Sequence, residues 1–194
     1  MADDGSRPAR TRRIPKPLDS ARLEEIALAY VARFATSAGK FERYLRRKLR
    51  ERGWEDEGDP PVSALVARYV ECGYIDDEAF ARAKSGSLLR RGYGARRVRQ
   101  VLGEAGIAED LRDRVRPGEA QARGAALALA RKRRFGPFGG GGLPDRPARE
   151  KQIAAMLRAG HALDSARQMV DAPSVAEAEQ WVAEAADADD DMEP

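Results

Sequence analysis

The chain has 194 residues, of which 35% are charged and only 6% are aromatic. This composition favours helices that pack through modest apolar stripes. No apolar run approaches the roughly 18 residues of a membrane-spanning helix, and the N-terminal arginines precede no apolar segment typical of a secretory signal. The single cysteine excludes an internal disulfide framework, and we expect a cytoplasmic protein.

The net charge of +3 is distributed unevenly along the chain. All 35 basic residues precede Asp171, whereas nine of the 32 acidic residues lie from Asp171 onward. A basic body followed by an acidic tail indicates a polyanionic partner, or a partner with an acidic surface. The alternative is a soluble protein whose charged faces are simply solvated.

The first predicted elements form a three-helix unit. Residues 1–20 are polar, basic and interrupted by proline, and we expect them to be a disordered basic arm. Helical periodicity begins near Ala21, and a second helix runs through FERYLRRKLRERGW to Gly53. A third helix, VSALVARYVECG, ends at Gly73.

The second helix of this unit recurs twice. RRVRQVLGEAGI ends at Gly106 and EKQIAAMLRAGH ends at Gly160, so the three equivalent glycines lie 53 and 54 residues apart. Each copy also has one helix before it and one after it, which is typical of tandem units that bury one another's apolar faces. We therefore predict an all-α fold of three tandem three-helix repeats that form an elongated, curved array: residues 21–75, 76–118 and 119–172.

The third repeat and the C-terminus depart from this pattern. The segment RFGPFGGGGLPDRP inserts glycines between two helices, and we expect residues 136–147 to be a long, mobile connection. Residues 173–194 form an acidic tail. We expect a short helix around residues 175–186 and disorder beyond it.

The stretch GYIDDEAFA places three carboxylates side by side: Asp76, Asp77 and Glu78. Such groups can carry acid–base chemistry or bind a metal, and they can also begin a helix, where Asp is a favoured N-cap. If Asp76 is the N-cap, Ile75 and Phe80 take the positions of a hydrophobic staple. Since no second group of ligands is evident, we expect the structural role, no catalytic residue, no metal site and no cofactor.

Two other residues that could carry chemistry have simpler interpretations. His161 occupies the position of Trp54 and Ile107 in the other repeats, so we expect it to pack rather than to bind a metal. Cys72 lies late in an apolar helix, and we expect a buried small residue there.

Arginines on the second helix of the first two repeats are the candidate binding residues. Spacings of i, i+3, i+4 and i+7 place four of them on one helix face: Arg43, Arg46, Arg47 and Arg50. Arg96 and Arg99 take the equivalent positions in the second repeat, close to further basic residues: Arg90, Arg91 and Arg97. Such stripes can follow a phosphate backbone or an acidic protein groove. For any single arginine, the alternative interpretation is a helix face that is only solvated.

The segments YLRRKLRERGW, GYIDDEAFARA and RRGYGARRVRQVLGEAGI together resemble the RecX family of bacterial regulatory proteins. The resemblance covers about residues 21–170 and implies three tandem three-helix repeats. It implies a protein without enzymatic activity that binds in the groove of the RecA filament on single-stranded DNA. Such a protein inhibits the recombinase, ATPase and co-protease activities of RecA, and so restrains homologous recombination, DNA repair and the SOS response.

The resemblance leaves some features open. The second helix of the first repeat begins SAGKF, so Ser37 or Gly39 would cap it. Some members of the family also bind DNA, either single- or double-stranded, and we expect a monomer with no membrane partner. The rival hypothesis is a stand-alone DNA-binding helical protein that has no recombinase partner.

Overall fold

The computed structural model describes residues 16–190, except for Gly141 and Leu143. Within these residues the chain forms ten α-helices and no β-strand. The first nine group in threes, and the tenth follows them: α1 (Ser20–Val31), α2 (Ala38–Arg52), α3 (Val62–Glu71), α4 (Asp77–Arg90), α5 (Ala95–Glu104), α6 (Glu109–Arg114), α7 (Glu119–Arg133), α8 (Arg146–Arg158), α9 (Leu163–Val170) and α10 (Val175–Asp190). The predicted all-α fold of three tandem three-helix repeats is confirmed.

Each repeat has an apolar core of its own, to which its middle helix contributes. Phe41 of α2, Leu102 of α5 and Met156 of α8 are completely buried, each in a different cluster. The first core is separate from the second, whereas the second also contains Ala125 of α7, so the arrangement of the repeats depends on how neighbouring helices meet at the joints between them.

Within the described residues, the first repeat includes residues that precede Ala21. Leu18 is completely buried in the first core, and its N–H donates to the carbonyl oxygen of Gly53 at 3.0 Å. Asp19 is the N-cap of α1. Residues 16–20 therefore belong with the first repeat, because Leu18 supplies a side chain that its core buries. The rest of the expected arm, residues 1–15, lies outside the described residues.

The first joint brings the C-terminal end of α5 to the N-terminal end of α2. Ser37, the N-cap of α2, donates its hydroxyl to the carbonyl oxygen of Ala105 at 2.6 Å and accepts the Lys40 N–H at 3.3 Å. A Cβ atom on Gly39 would lie 2.9 Å from the Cα of Gly106. Ser37 is thus confirmed as the cap, and the glycine pair permits the close approach of the two helices.

The acidic stretch lies at this same joint and caps two helices. Asp76 is the N-cap of α4, as predicted, and accepts the Ala79 N–H at 2.9 Å. Asp77 accepts the N–H of Ala38, the first residue of α2, at 2.8 Å. Neighbouring aspartates therefore satisfy helix N-termini in two different repeats.

The second joint has the same geometry, between α8 and α5. The N–H of Gly94 donates to the carbonyl oxygen of Ala159 at 2.9 Å, and the Arg96 N–H donates to that of Gly160 at 3.1 Å. A Cβ atom on Gly94 would lie 2.4 Å from the Gly160 backbone. The middle helices α8, α5 and α2 therefore follow one another end to end, and each negative C-terminal end meets a positive N-terminal end.

His161 stabilises the second joint from within. It is the single histidine of the chain and only 3% exposed, with Nε2 lying 3.0 Å from the carbonyl oxygen of Gly92. A carbonyl only accepts, so Nε2 carries the proton and donates it. Burial lowers the pKa of His161, and the hydrogen bond to Gly92 opposes that shift. The expected packing role is confirmed.

The glycine-rich connection is anchored at its start. Gly136–Gly139 forms a 3₁₀ turn, and the Gly136 N–H donates to Oε1 of Gln152 at 2.7 Å. Phe138 packs against the third core. Residues 136–139 therefore form a packed turn, because Phe138 has an apolar core to pack against. The mobility expected of residues 136–147 as a whole stays a prediction.

The acidic tail contributes a helix to the third repeat. Arg123 of α7 lies over the ring of Trp181 at 4.5 Å and donates to its carbonyl oxygen at 2.7 Å. Arg131 of α7 forms an ion pair with Glu179. Helix α10 begins where expected but continues to Asp190, because basic and apolar groups of α7 hold it.

Two expectations about side-chain packing need correction. Cys72 is exposed, because it is the C-cap of α3 and lies just past the last helical residue, Glu71. Ile75 lies in the first core, whereas Phe80 borders the second, so the two residues of the expected staple serve different cores.

The close approach at the second joint predicts that Gly94→Ala destabilises the protein. Gly94 has φ −80°, which any residue can adopt, so the effect is steric: the new methyl group meets rigid backbone. We expect a loss on the order of 3 kcal/mol in the free energy of unfolding, measured by urea denaturation.

The matched control is Gly124→Ala in the interior of α7, where a Cβ atom meets nothing within 4 Å. This substitution should leave stability unchanged or raise it by about 0.5–1 kcal/mol, since glycine weakens helix interiors. Equal effects of the two substitutions would contradict the end-to-end contact of α8 and α5.

Burial of neutral His161 predicts a stability that falls as the pH is lowered. Its pKa is lower in the folded protein than the ordinary value of 6.5, so below about pH 6.5 the unfolded chain binds more protons. Unfolding should therefore require less urea at pH 5.5 than at pH 7.5.

His161→Gln provides the control, because the amide can still donate to Gly92 but does not titrate. The decrease from pH 7.5 to pH 5.5 should be smaller in this variant than in the wild type, and carboxylates shared by both proteins cancel in the comparison. An identical pH dependence would show that burial of His161 does not couple protonation to folding.

Candidate functional site

The four predicted arginines of α2 line one shallow groove, which we call the α2 groove. Its volume is about 440 Å³, and it is lined by Tyr30, Lys40, Arg43, Tyr44, Arg46, Arg47 and Arg50. The helical spacing that placed these arginines on one face in the sequence therefore brings them together in the structure.

Two arginines of the groove pair with carboxylates one turn away. Arg46 donates twice to Glu42, at 2.9 and 2.7 Å, and Arg47 lies 3.6 Å from Glu51. A hydrogen bond from Lys48 holds the pKa of the Glu51 carboxyl below its usual range. Exposed pairs of this kind contribute only about 0–1 kcal/mol, so an anionic ligand can replace the carboxylates at little cost.

The two ends of the arginine row differ in their surroundings. Arg43 donates to the carbonyl oxygen of Glu104 at 2.6 Å and thereby joins α2 to the C-terminal end of α5. Arg50 makes no ion pair with any residue in the described part of the chain. Arg43 therefore has a structural role at the first joint as well as a place in the groove.

Aromatic rings lie beside these charges, and sequence reasoning missed them. Tyr44 stacks on Tyr30 with ring centroids 4.0 Å apart, and Arg47 lies 5.6 Å from the Tyr44 ring centroid. Phe34, which is 55% exposed, lies 5.2 Å from Tyr30. The position of Tyr44 within the arginine run was the signal that could have identified this cluster.

A second basic site, the α5–α6 pocket, lies in the second repeat. Its volume is about 250 Å³, and its lining combines four arginines with three apolar residues: Arg96, Arg99, Arg112, Arg116, Ala95, Val98 and Pro117. Arg96 and Arg99 were predicted, whereas Arg112 and Arg116 were missed. Their i, i+4 spacing on and after α6 was the available signal.

The charge of Arg99 is balanced inside the repeat. Its guanidinium pairs with both Glu109 and Asp113. Of the candidate residues it therefore contributes least to the net positive charge of the surface.

The remaining candidates line neither the α2 groove nor the α5–α6 pocket. Arg90 and Arg91 are exposed at the C-terminal end of α4, with Arg91 lying 5.5 Å from the Tyr93 ring centroid. Arg97 is half-buried at the second joint and donates to Gln100 at 2.9 Å. Their part in binding stays a prediction.

Neither a metal cluster nor a membrane-spanning helix is found among the residues that the structure describes. They contain no group of three or more His, Cys, Asp or Glu side chains that could hold a metal ion. In residues 16–190, again without Gly141 and Leu143, no helix combines the length and the apolar character required to span a bilayer. Asp76 and Asp77 are instead occupied in capping helices.

The amino-acid sequence of this chain is similar to sequences of known proteins. Residues 76–115 match the family model described as RecX, second three-helix domain. The regulatory protein RecX of Myxococcus xanthus is 32% identical over 165 residues, which cover 81% of this chain and 88% of that protein. The regulatory protein RecX of a Thermus thermophilus strain is 37% identical over 107 residues, covering 55% and 71%.

The fold is also similar to solved structures. The crystal structure of RecX from Lactobacillus salivarius superposes with a TM-score of 0.60 at 16% identity, over 78% of this chain and 96% of that one. A second crystal structure of a regulatory protein RecX gives a TM-score of 0.58 at 22% identity, covering 78% and 70%. With the extended similarity to the Myxococcus protein, these results place the chain in the RecX family of regulatory proteins.

Proposed function

We propose that this protein is a negative regulator of RecA that binds in the groove of the RecA–single-stranded DNA filament. It inhibits the recombinase, ATPase and co-protease activities of RecA and so regulates DNA repair and the SOS response. It acts in the cytoplasm, as a monomer and without catalysis of its own. Membership of the RecX family supports the choice of partner.

The single observation that carries the proposal is the succession of basic sites along the end-to-end helices. The α2 groove and the α5–α6 pocket use consecutive helices of that line. Helices of 15 and 10 residues placed end to end extend for about 40 Å at 1.5 Å per residue. Two basic sites distributed over such a length suit a long anionic groove better than they suit a compact ligand.

The arginines of the α2 groove can exchange their carboxylate partners for the phosphate groups of a ligand. The carboxylates that pair with Arg46 and Arg47 lie on the same helix and are themselves partly exposed. A phosphate group offers each guanidinium a stronger, bidentate partner. Binding that replaces condensed counterions in this way should weaken steeply as salt is added.

Reversing the charge of the α2 groove should abolish most of the regulation. We expect the variant Arg46→Glu/Arg47→Glu/Arg50→Glu to need at least about tenfold more protein for half-inhibition of the RecA ATPase on single-stranded DNA, because attraction becomes repulsion. Arg43 is left unchanged, since it also stabilises the first joint.

The matched control reverses three arginines that line neither the α2 groove nor the α5–α6 pocket, each of which pairs within its own helix: Arg82, Arg114 and Arg146. This control has the same net charge as the test variant and should inhibit nearly as well as the wild type. Equal losses in the two variants would attribute the effect to net charge alone and contradict the α2 groove as the contact surface.

The aromatic rings of the α2 groove favour a second candidate function, direct binding of single-stranded DNA without RecA. Bases stack on exposed aromatic rings beside basic residues. Phe34, next to Tyr30 of the groove, is exposed, and the half-buried ring of Tyr44 lies beside Arg47. Fluorescence anisotropy with a labelled oligonucleotide separates the two functions. Tight binding to DNA with no effect on the ATPase at saturating protein would favour the stand-alone function.

A further inference from the structure

The α5–α6 pocket contains a buried polar group that nothing in the described fold satisfies. Nε of Arg112 is inaccessible to solvent and has no hydrogen-bond partner among the described residues. An unpaired buried donor of this kind costs roughly 1–3 kcal/mol and is rare in folded proteins, so a small shift of the Arg112 side chain that brought Nε to an acceptor in the pocket would recover that cost.

The polypeptide backbone of α5 makes room for this guanidinium. A Cβ atom on Gly103 would lie 3.1 Å from Nη1 of Arg112 and 3.7 Å from its Cζ. The Arg112 side chain therefore lies directly over bare backbone, which holds its guanidinium at the pocket.

The other charges around the pocket leave it strongly positive. Among the described residues, Arg96, Arg112 and Arg116 form no ion pair, whereas Arg99 is neutralised by Glu109 and Asp113. Three unpaired guanidinium groups that line a volume of about 250 Å³ repel one another. An anion with several oxygen atoms would remove that repulsion, and it would give Nε of Arg112 an acceptor once the side chain shifts toward the pocket.

We propose that the α5–α6 pocket binds a phosphate group, held by Arg112 with Arg96 and Arg116. Guanidinium groups donate paired N–H bonds that match the geometry of phosphate oxygens. The site goes beyond the proposed function, because binding of phosphate to this pocket does not require RecA. Where a nucleic-acid strand supplies the phosphate, it also deepens that function.

The test follows the arginine Nε–Hε signals of the whole protein by ¹H–¹⁵N NMR during titration with inorganic phosphate at constant ionic strength. The Arg112 signal, identified by its loss in Arg112→Gln, should shift and saturate with phosphate but not with chloride. In Arg112→Gln the affinity for phosphate, followed at Arg96, should fall at least about tenfold. No saturable shift, or the same shift with chloride, overturns the proposal.

Two further variants distinguish loss of the phosphate site from loss of folding. Arg116→Gln removes an exposed arginine of the pocket and should also weaken phosphate binding, even if Arg112→Gln does not fold. Arg114→Gln makes the same change in charge on α6, but Arg114 lies 3.7 Å from Asp110 and does not line the pocket. It should bind phosphate like the wild type, and equal weakening by Arg114→Gln and Arg116→Gln overturns the site.

A second titration, with single-stranded oligothymidylate, identifies the source of the phosphate. A shift of the Arg112 signal that inorganic phosphate competes away assigns the site to a strand backbone. Saturation by inorganic phosphate alone assigns it to a free phosphate or a mononucleotide, and both results support the site. RecA is absent from these experiments, so failure of the regulatory function and failure of this site are distinguishable.

Discussion

The arrangement of the repeats depends on direct contact between the ends of their middle helices. At each joint the last carbonyls of one middle helix accept hydrogen bonds from the first residues of the next, through Ser37 at one joint and Gly94 at the other. A side chain at Gly39 or Gly160 would hold the two backbones apart and so prevent these bonds from forming. Because the first and second apolar cores are separate, these bonds determine how far the basic sites lie from each other.

The repeat pattern made most of the fold predictable from sequence. Equal spacing of Gly53, Gly106 and Gly160 located the middle helices, and capping rules located Asp76. These features depend on neighbours in the chain. The capping of α2 by Asp77 did not follow from them, because its partner Ala38 is brought near only by the joint. Leu18 was missed for the same reason, since its burial depends on a core that forms elsewhere.

The candidate site was predictable to a smaller extent, because helical spacing gives the direction of a side chain but not its partner. It placed Arg46 and Arg47 on one face correctly, yet it could not show that Arg99 is neutralised by Glu109 and Asp113. Nor could it bring residues 112 and 116 to the arginines of α5. Arg99 therefore adds less positive charge to the surface than its position suggests, and the candidate arginines that the structure groups together lie in the α2 groove and the α5–α6 pocket.

The end-to-end line of α8, α5 and α2 also gives the molecule a direction. Each internal joint pairs the C-terminus of one middle helix with the N-terminus of the next, so the line begins at the N-terminus of α8 and ends at the C-terminus of α2. The acidic helix α10, packed on α7, makes the third repeat chemically different from the other two as well. A polymer that itself has a direction, such as a protein filament or a single strand, would meet two unlike ends and could distinguish between the two orientations of this protein.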